Sequence, residues 1–166
     1  MSYYFNADEV FRIGVEIEEN GKVFYEAGAA QASEPAVREL CRKLAAWETK
    51  HVELFEELRR KLPPAAREGS AFDPDSEEGA YIKATADTHV FLRNKDVGAL
   101  VRACGDGAAL LDLAIAFEKD SVVFYSAMKP LVAKHLGQGG IDALIEEELR
   151  HIGILTIEKE KLGRKA

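Results

Sequence analysis

The chain has 166 residues, 47% hydrophobic and 31% charged, with a formal charge of −7. That length supports one domain with a sizeable core, and that balance excludes disordered and fibrous classes. The acidic sign, with its only basic cluster at Lys159–Lys165 diluted by Glu158 and Glu160, argues against a nucleic-acid partner, which needs clustered Lys and Arg.

The opening "MSYYFNADEVFRIG" lacks the basic region and apolar run of a secretory signal, and no apolar stretch is long enough to span a bilayer. Cys41 and Cys104 form neither a disulfide framework nor a Cys-x-x-Cys motif. A cytoplasmic protein with no membrane partner is expected.

In chain order, the first helical pattern runs from about Ala7 to Gln31, with Asn6 and Glu9 spaced as a capping box. The second follows Ser33 as N-cap, carries Pro35 in its first turn and ends before Pro63-Pro64. A crossover at about 63–105 starts as a Pro/Gly/Asp-rich loop and continues as shorter helices at Glu77–Leu92 and Val97–Ala103. The third long helix begins near Asp106 and heads toward Gly137, with Pro130 expected to kink or divide it. The fourth starts after Gly139-Gly140 and continues to about Leu162. Short links make the first–second (about 7–62) and third–fourth (about 106–162) pairs antiparallel hairpins. The expected fold is all-α, a four-helix bundle of two hairpins joined by the long crossover, spanning 1–166 as a single domain.

Spacings of four and three along the second helix select Val37, Cys41, Leu44, Glu48, His51, Phe55, Leu58 and Leu62 as the buried seam. Only Glu48 and His51 interrupt its apolar character. The fourth helix gives Ile141, Leu144, Glu148, His151 and Leu155, again broken by one Glu and one His three residues apart. Glu148 therefore points inward, Glu147 and Arg150 toward solvent, and Glu146 toward a flank. The first and third helices give Phe11, Gly14, Glu18, Gly21, Tyr25 and Leu111, Ala114, Glu118, Ser121, Tyr125. Glu16, Glu19 and Glu26 fall off that line and read as solvated.

Glu18, Tyr25, Glu48 and His51 recur as Glu118, Tyr125, Glu148 and His151, each one hundred positions later, and "VFYEA" at 23–27 matches "VFYSA" at 123–127. The hairpin reads as duplicated, with approximate two-fold packing of the copies. Six inward polar residues then meet at one level. Four carboxylates in an apolar core repel one another, whereas two divalent cations balance their charge and each imidazole adds a nitrogen ligand. A Glu and a His three apart share a helix face, so one helix serves one ion with both. Mixed oxygen and nitrogen donors suit iron; manganese fits the same set, and zinc is an adventitious occupant.

At "EENGKVFY" (18–25), "ETKH" (48–51), "EKDSVVFY" (118–125) and "EELRH" (147–151) the chain resembles the rubrerythrin-like branch of the ferritin-like superfamily. The resemblance covers all four long helices. It implies a ferritin-like bundle binding two irons, with Glu48 and Glu148 bridging, Glu18 and Glu118 terminal, and His51 and His151 each capping one iron. The chain departs from rubrerythrin proper in having no rubredoxin-like cysteine pair and in carrying Ser121 where those proteins have a further Glu. The implied activity is reduction of hydrogen peroxide or dioxygen by a homodimer, with an external electron donor such as a rubredoxin. A ferroxidase serving iron handling, or a non-catalytic metal-binding module, are the alternatives.

Tyr25 and Tyr125 are expected either to fill core space or to hydrogen-bond a ligand carboxylate. Cys41 reads as a small core residue, and His89 and His135 as ordinary histidines. Gly21 and Ser121 are expected both to allow close helix packing and to leave a face open to a small oxidant.

Overall fold

A computed structural model describes residues 7–64, 77–93, 96–132, 134 and 137–164. The long helices are α1 (Ala7–Gln31), α2 (Pro35–Lys61), α6 (Gly107–Met128) and α7 (Gln138–Gly163); between them lie α3 (Glu77–Thr88), α4 (Val90–Arg93) and α5 (Val97–Ala103). No strand occurs among the described residues. Asn6 and His135 lie outside them, so the expected capping box and that histidine have no structural account.

Helix ends follow local chemistry. Pro35 holds the preceding residue in extended backbone and itself occupies the first helical turn, so the N-cap of α2 is Glu34 (φ −78°, ψ 121°), one residue beyond the expected Ser33. Ser33 instead donates its hydroxyl to the Glu34 carboxylate at 3.0 Å. α6 starts where expected, and Asp106 caps it, accepting from the Ala109 backbone N–H at 2.8 Å. α6 stops at Met128, and Pro130 sits in a short 3-10 turn, Lys129–Leu131, that divides the pattern there. α7 begins at Gln138, earlier than expected, and takes both Gly139 and Gly140 into its first turn. The break is made by Gly137, whose φ of +122° suits only glycine and where a Cβ would lie 2.1 Å from the Leu58 side chain.

α1 lies along α2 and α6 along α7, while α1 meets α6 and α2 meets α7 between the hairpins. The ends register as antiparallel pairs require. Arg59, near the end of α2, donates to Asp8 at the start of α1 at 3.1 and 3.3 Å, and Lys159 late in α7 pairs with Asp112 early in α6. From the crossover, α5 packs on α1 and α3 on α6. Every apolar seam residue named above is buried. Exposed positions fall where the seam excludes them, including Glu16, Glu19 and Glu26. Burying each large aliphatic or aromatic side chain of this seam contributes ~1.5–3 kcal/mol, which holds the polar residues between them in place. No helix among the described residues is long and apolar enough to cross a membrane.

Candidate metal centre

The polar interruptions of the four seams meet at one level of the bundle. Glu18, Glu48, Glu118 and Glu148 are at most 1% exposed, His51 2% and His151 3%. They form two overlapping groups whose donor atoms lie within 4.8 Å of one another: Glu18, Glu48, His51, Glu148 and Glu48, Glu118, Glu148, His151. Glu48 and Glu148 belong to both. Those are the two residues the resemblance makes bridging, and all six expected residues are brought together.

The contacts are those of a site built for cations. His51 Nδ1 lies 3.2 Å from Glu18 Oε2, 3.1 Å from Glu148 Oε1 and 3.6 Å from Glu48 Oε2. One ring nitrogen carries at most one hydrogen, so it cannot satisfy three oxygens. His151 Nδ1 likewise faces Glu148 Oε2 at 3.0 Å and Glu118 Oε1 at 3.6 Å. Four carboxylate oxygens, both of Glu48 with Glu118 Oε2 and Glu148 Oε1, are buried without a hydrogen-bond partner among the described residues. The 3.1 Å approach of His51 to Glu148 Oε1 is therefore proximity without hydrogen-bond geometry. Buried polar atoms are ordinarily paired; here the unpaired ones converge, and a divalent ion fits the donor set.

Without ions the cluster balances its charge with protons. Burial, followed by the neighbouring Glu18, raises the Glu48 carboxyl well above the usual range. Burial and Glu148 do the same to Glu118. Burial also disfavours ionised Glu148, but the hydrogen bond from His151 and the nearby His51 ring prevail and hold it low. In His151 burial opposes protonation, yet the adjacent carboxylates of Glu118 and Glu148 raise it to about 9, and His51 is raised in the same way. Ions entering such a site displace protons.

The tyrosines bond across the two-fold. Tyr25 on α1 donates to Glu118 on α6, and Tyr125 on α6 donates to Glu18 on α1. Both hydroxyls are fully buried, and burial together with the adjacent carboxylates pushes their pKa well up, so they stay protonated donors. Of the two expected roles, the hydrogen bond to a ligand carboxylate is present alongside core filling.

Three residues have parts that the spacing did not give them. Glu147, expected in solvent, has a half-exposed side chain, yet its Oε2 lies 2.9 Å from His51 Nε2 while Oε1 accepts from Arg150 at 3.1 Å. The seam rule followed its Cβ; the carboxylate reaches around the helix to the outer edge of a ring on α2. Trp47 stacks on His151 with centroids 4.9 Å apart and planes 13° apart. His89, between α3 and α4, is fully buried with Nε2 3.3 Å from Ser121 Oγ, and burial lowers its pKa to about 4.

The expected open face is closed. A Cβ at Gly21 would lie 2.7 Å from Phe117, and Ser121 is 1% exposed beneath His89. A cleft of about 100 Å³ instead approaches the cluster between Trp47, Glu147, Arg150, His151 and Ile154. Hollows of about 470 and 620 Å³ along α1 and α2 include none of the six residues.

No protein-family model and no curated protein sequence matches the chain significantly. Among solved structures it is similar to a crystal structure from Thermotoga maritima provisionally described as a ferritin-like diiron-carboxylate protein, with 21% identity and a TM-score of 0.67 over 95% of this chain and 97% of that one. The fold is that of a ferritin-like helical bundle, and its buried carboxylate and histidine cluster stands where the duplicated seams meet.

Proposed function

We propose that Glu18, Glu48, His51, Glu118, Glu148 and His151 hold two iron ions, and that the protein is a rubrerythrin-type oxidoreductase reducing peroxide or dioxygen. The observation that carries the reading is the pair of donor sets sharing Glu48 and Glu148, with four carboxylate oxygens left without partners among the described residues. The Thermotoga structure, described as a diiron-carboxylate protein, is consistent with it. Two irons would supply a pair of electrons to a small oxidant.

The chain's own part is orientation and exclusion. Tyr25 and Tyr125 fix Glu118 and Glu18, one oxygen each, leaving the second oxygen of each carboxylate for an ion. Phe117, Phe55 and Phe124 pack around the tyrosines and keep that end dry. The small cleft beside Trp47 has room for a small oxidant such as peroxide or dioxygen. The two cysteines are a buried one in α2 and one after α5, so these residues offer no rubredoxin centre and the donor would be a separate protein.

Anaerobic iron loading followed by peroxide tests the proposal. The expected result is one stoichiometric oxidation without a donor and sustained turnover with added rubredoxin and its reductase. Continuous peroxide consumption without a donor would point to a catalase-like cycle, and no oxidation by peroxide or dioxygen to a non-catalytic metal module.

A further inference from the structure

The duplication that makes the two ligand sets alike also exposes where they differ. Glu147 and Trp47 are one hundred positions apart, each immediately before a shared glutamate, so they are equivalent residues of the two copies. Each reaches the histidine of the opposite hairpin. Glu147 meets His51 Nε2 edge-on at 2.9 Å, whereas Trp47 covers the His151 ring face at 4.9 Å. A carboxylate only accepts, so Nε2 of His51 carries a hydrogen, and an ion entering among Glu18, Glu48 and Glu148 would displace the proton of the metal-free cluster and take the Nδ1 lone pair. Arg150 holds the second oxygen of Glu147 at 3.1 Å and fixes the carboxylate for this contact. An indole face cannot take the corresponding Nε2 hydrogen of His151. It restrains the plane of the ring without setting its tautomer.

We infer that the two metal positions are unequal, and that Glu147 makes the Glu18–Glu48–His51–Glu148 position the tighter one, filled first. The inference rests on the dinuclear reading above and adds a positioning residue that acts through His51. A carboxylate bonded to the far nitrogen of a metal-binding imidazole orients the ring and increases its basicity as a ligand, and losing such a partner typically costs 10–100-fold in metal affinity. Among the described residues His151 has no such partner, and it lines the cleft, so its position is the weaker and the more accessible.

Sequential filling alone does not test this, because the first ion in any pair sharing carboxylates lowers the charge that the second meets. The discriminating experiment is a titration of the metal-free full chain with Co(II), followed by visible absorption and by proton NMR of the hyperfine-shifted imidazole N–H signals. In the wild type the first equivalent should bring out one N–H resonance slow to exchange with solvent, the His51 Nε2 hydrogen held by Glu147. Glu147→Gln should weaken the first step by 10–100-fold, leave the second within about threefold, and make that resonance exchange fast. Trp47→Glu should tighten the second step and add a second slowly exchanging signal. Equal loss at both steps, or no loss at all in Glu147→Gln, would overturn the inference while leaving the dinuclear site standing. Absence of Co(II) binding in the wild type would overturn the site itself.

Discussion

Replacing Glu48 with Gln separates the energy of the bundle from the energy of its metal site, because the two should move in opposite directions. Glu48 is fully buried, both its oxygens lack hydrogen-bond partners, and burial first and then Glu18 raise its pKa. A carboxyl whose folded pKa is raised contributes stability that is present below its unfolded value and lost as pH climbs toward the folded one, at ~1.4 kcal/mol per pH unit. Gln at position 48 has no proton to gain and presents an N–H to Glu18. Relief of an unsatisfied buried group is worth ~1–3 kcal/mol. For a chain of this size that raises the metal-free Tm of Glu48→Gln by ~2–12 °C. It should also flatten the fall in stability above the ordinary carboxylate range.

With ions present the order reverses. Each site occupied at a hundred times its Kd adds ~2.7 kcal/mol, so two add ~5 kcal/mol to the wild type. Glu48 belongs to both donor sets, so the variant should gain little. Circular-dichroism melts in EDTA and in saturating Mn(II), each at pH 6, 7 and 8, measure all four states. A metal-free Glu48→Gln protein less stable than metal-free wild type would refute the electrostatic reasoning. Equal metal-induced gains in both proteins would refute the role of Glu48 in the site.

Three further perturbations have defined outcomes. Tyr125→Phe leaves buried Glu18 without its donor, a hydrogen bond to an ionisable group worth ~1.5–3 kcal/mol; a loss below ~0.5 kcal/mol in urea melts would contradict the cross-hairpin bond. Gly21→Ala puts a methyl 2.7 Å from Phe117 and 3.2 Å from Glu48 Oε2; overpacking of ~1–3 kcal/mol exceeds the ~1 kcal/mol gained in helix propensity, so a variant more stable than wild type would refute the tight fit. His89 titrates in the unfolded chain near its ordinary value of 6.5 but at about 4 when folded. The unfolded state therefore takes its proton first as pH falls. Between pH 7 and 5 the wild type should lose ~2 kcal/mol more than His89→Gln, and identical pH profiles would show that His89 does not stay buried and neutral.

The seam and the site were legible because both depend on Cβ direction. Spacings of four and three choose the buried face of each helix, which is why Glu148 is buried and Glu146 exposed. The hundred-residue repeat then supplied the pairing of the hairpins. What spacing misses is where long side chains end. Glu147 leaves its helix at the rim and turns back to His51, and Trp47 spreads over His151 from the equivalent rim position. His89 reaches Ser121 from a crossover whose packing no periodicity specifies. The shift of the α2 cap to Glu34 follows from the restraint Pro35 places on its predecessor, a local rule that outranks the preference for Ser at an N-cap. The closed face at Gly21 depends on Phe117 arriving from the other hairpin.

In the proposed site six side chains from four helices enclose two ions. Anomalous diffraction at the iron edge from anaerobically iron-loaded crystals measures it directly. Two peaks ~3.5–4 Å apart are expected, one ligated by Glu18 and His51, the other by Glu118 and His151, with Glu48 and Glu148 between them. A single peak, none, or peaks away from these six residues would contradict it.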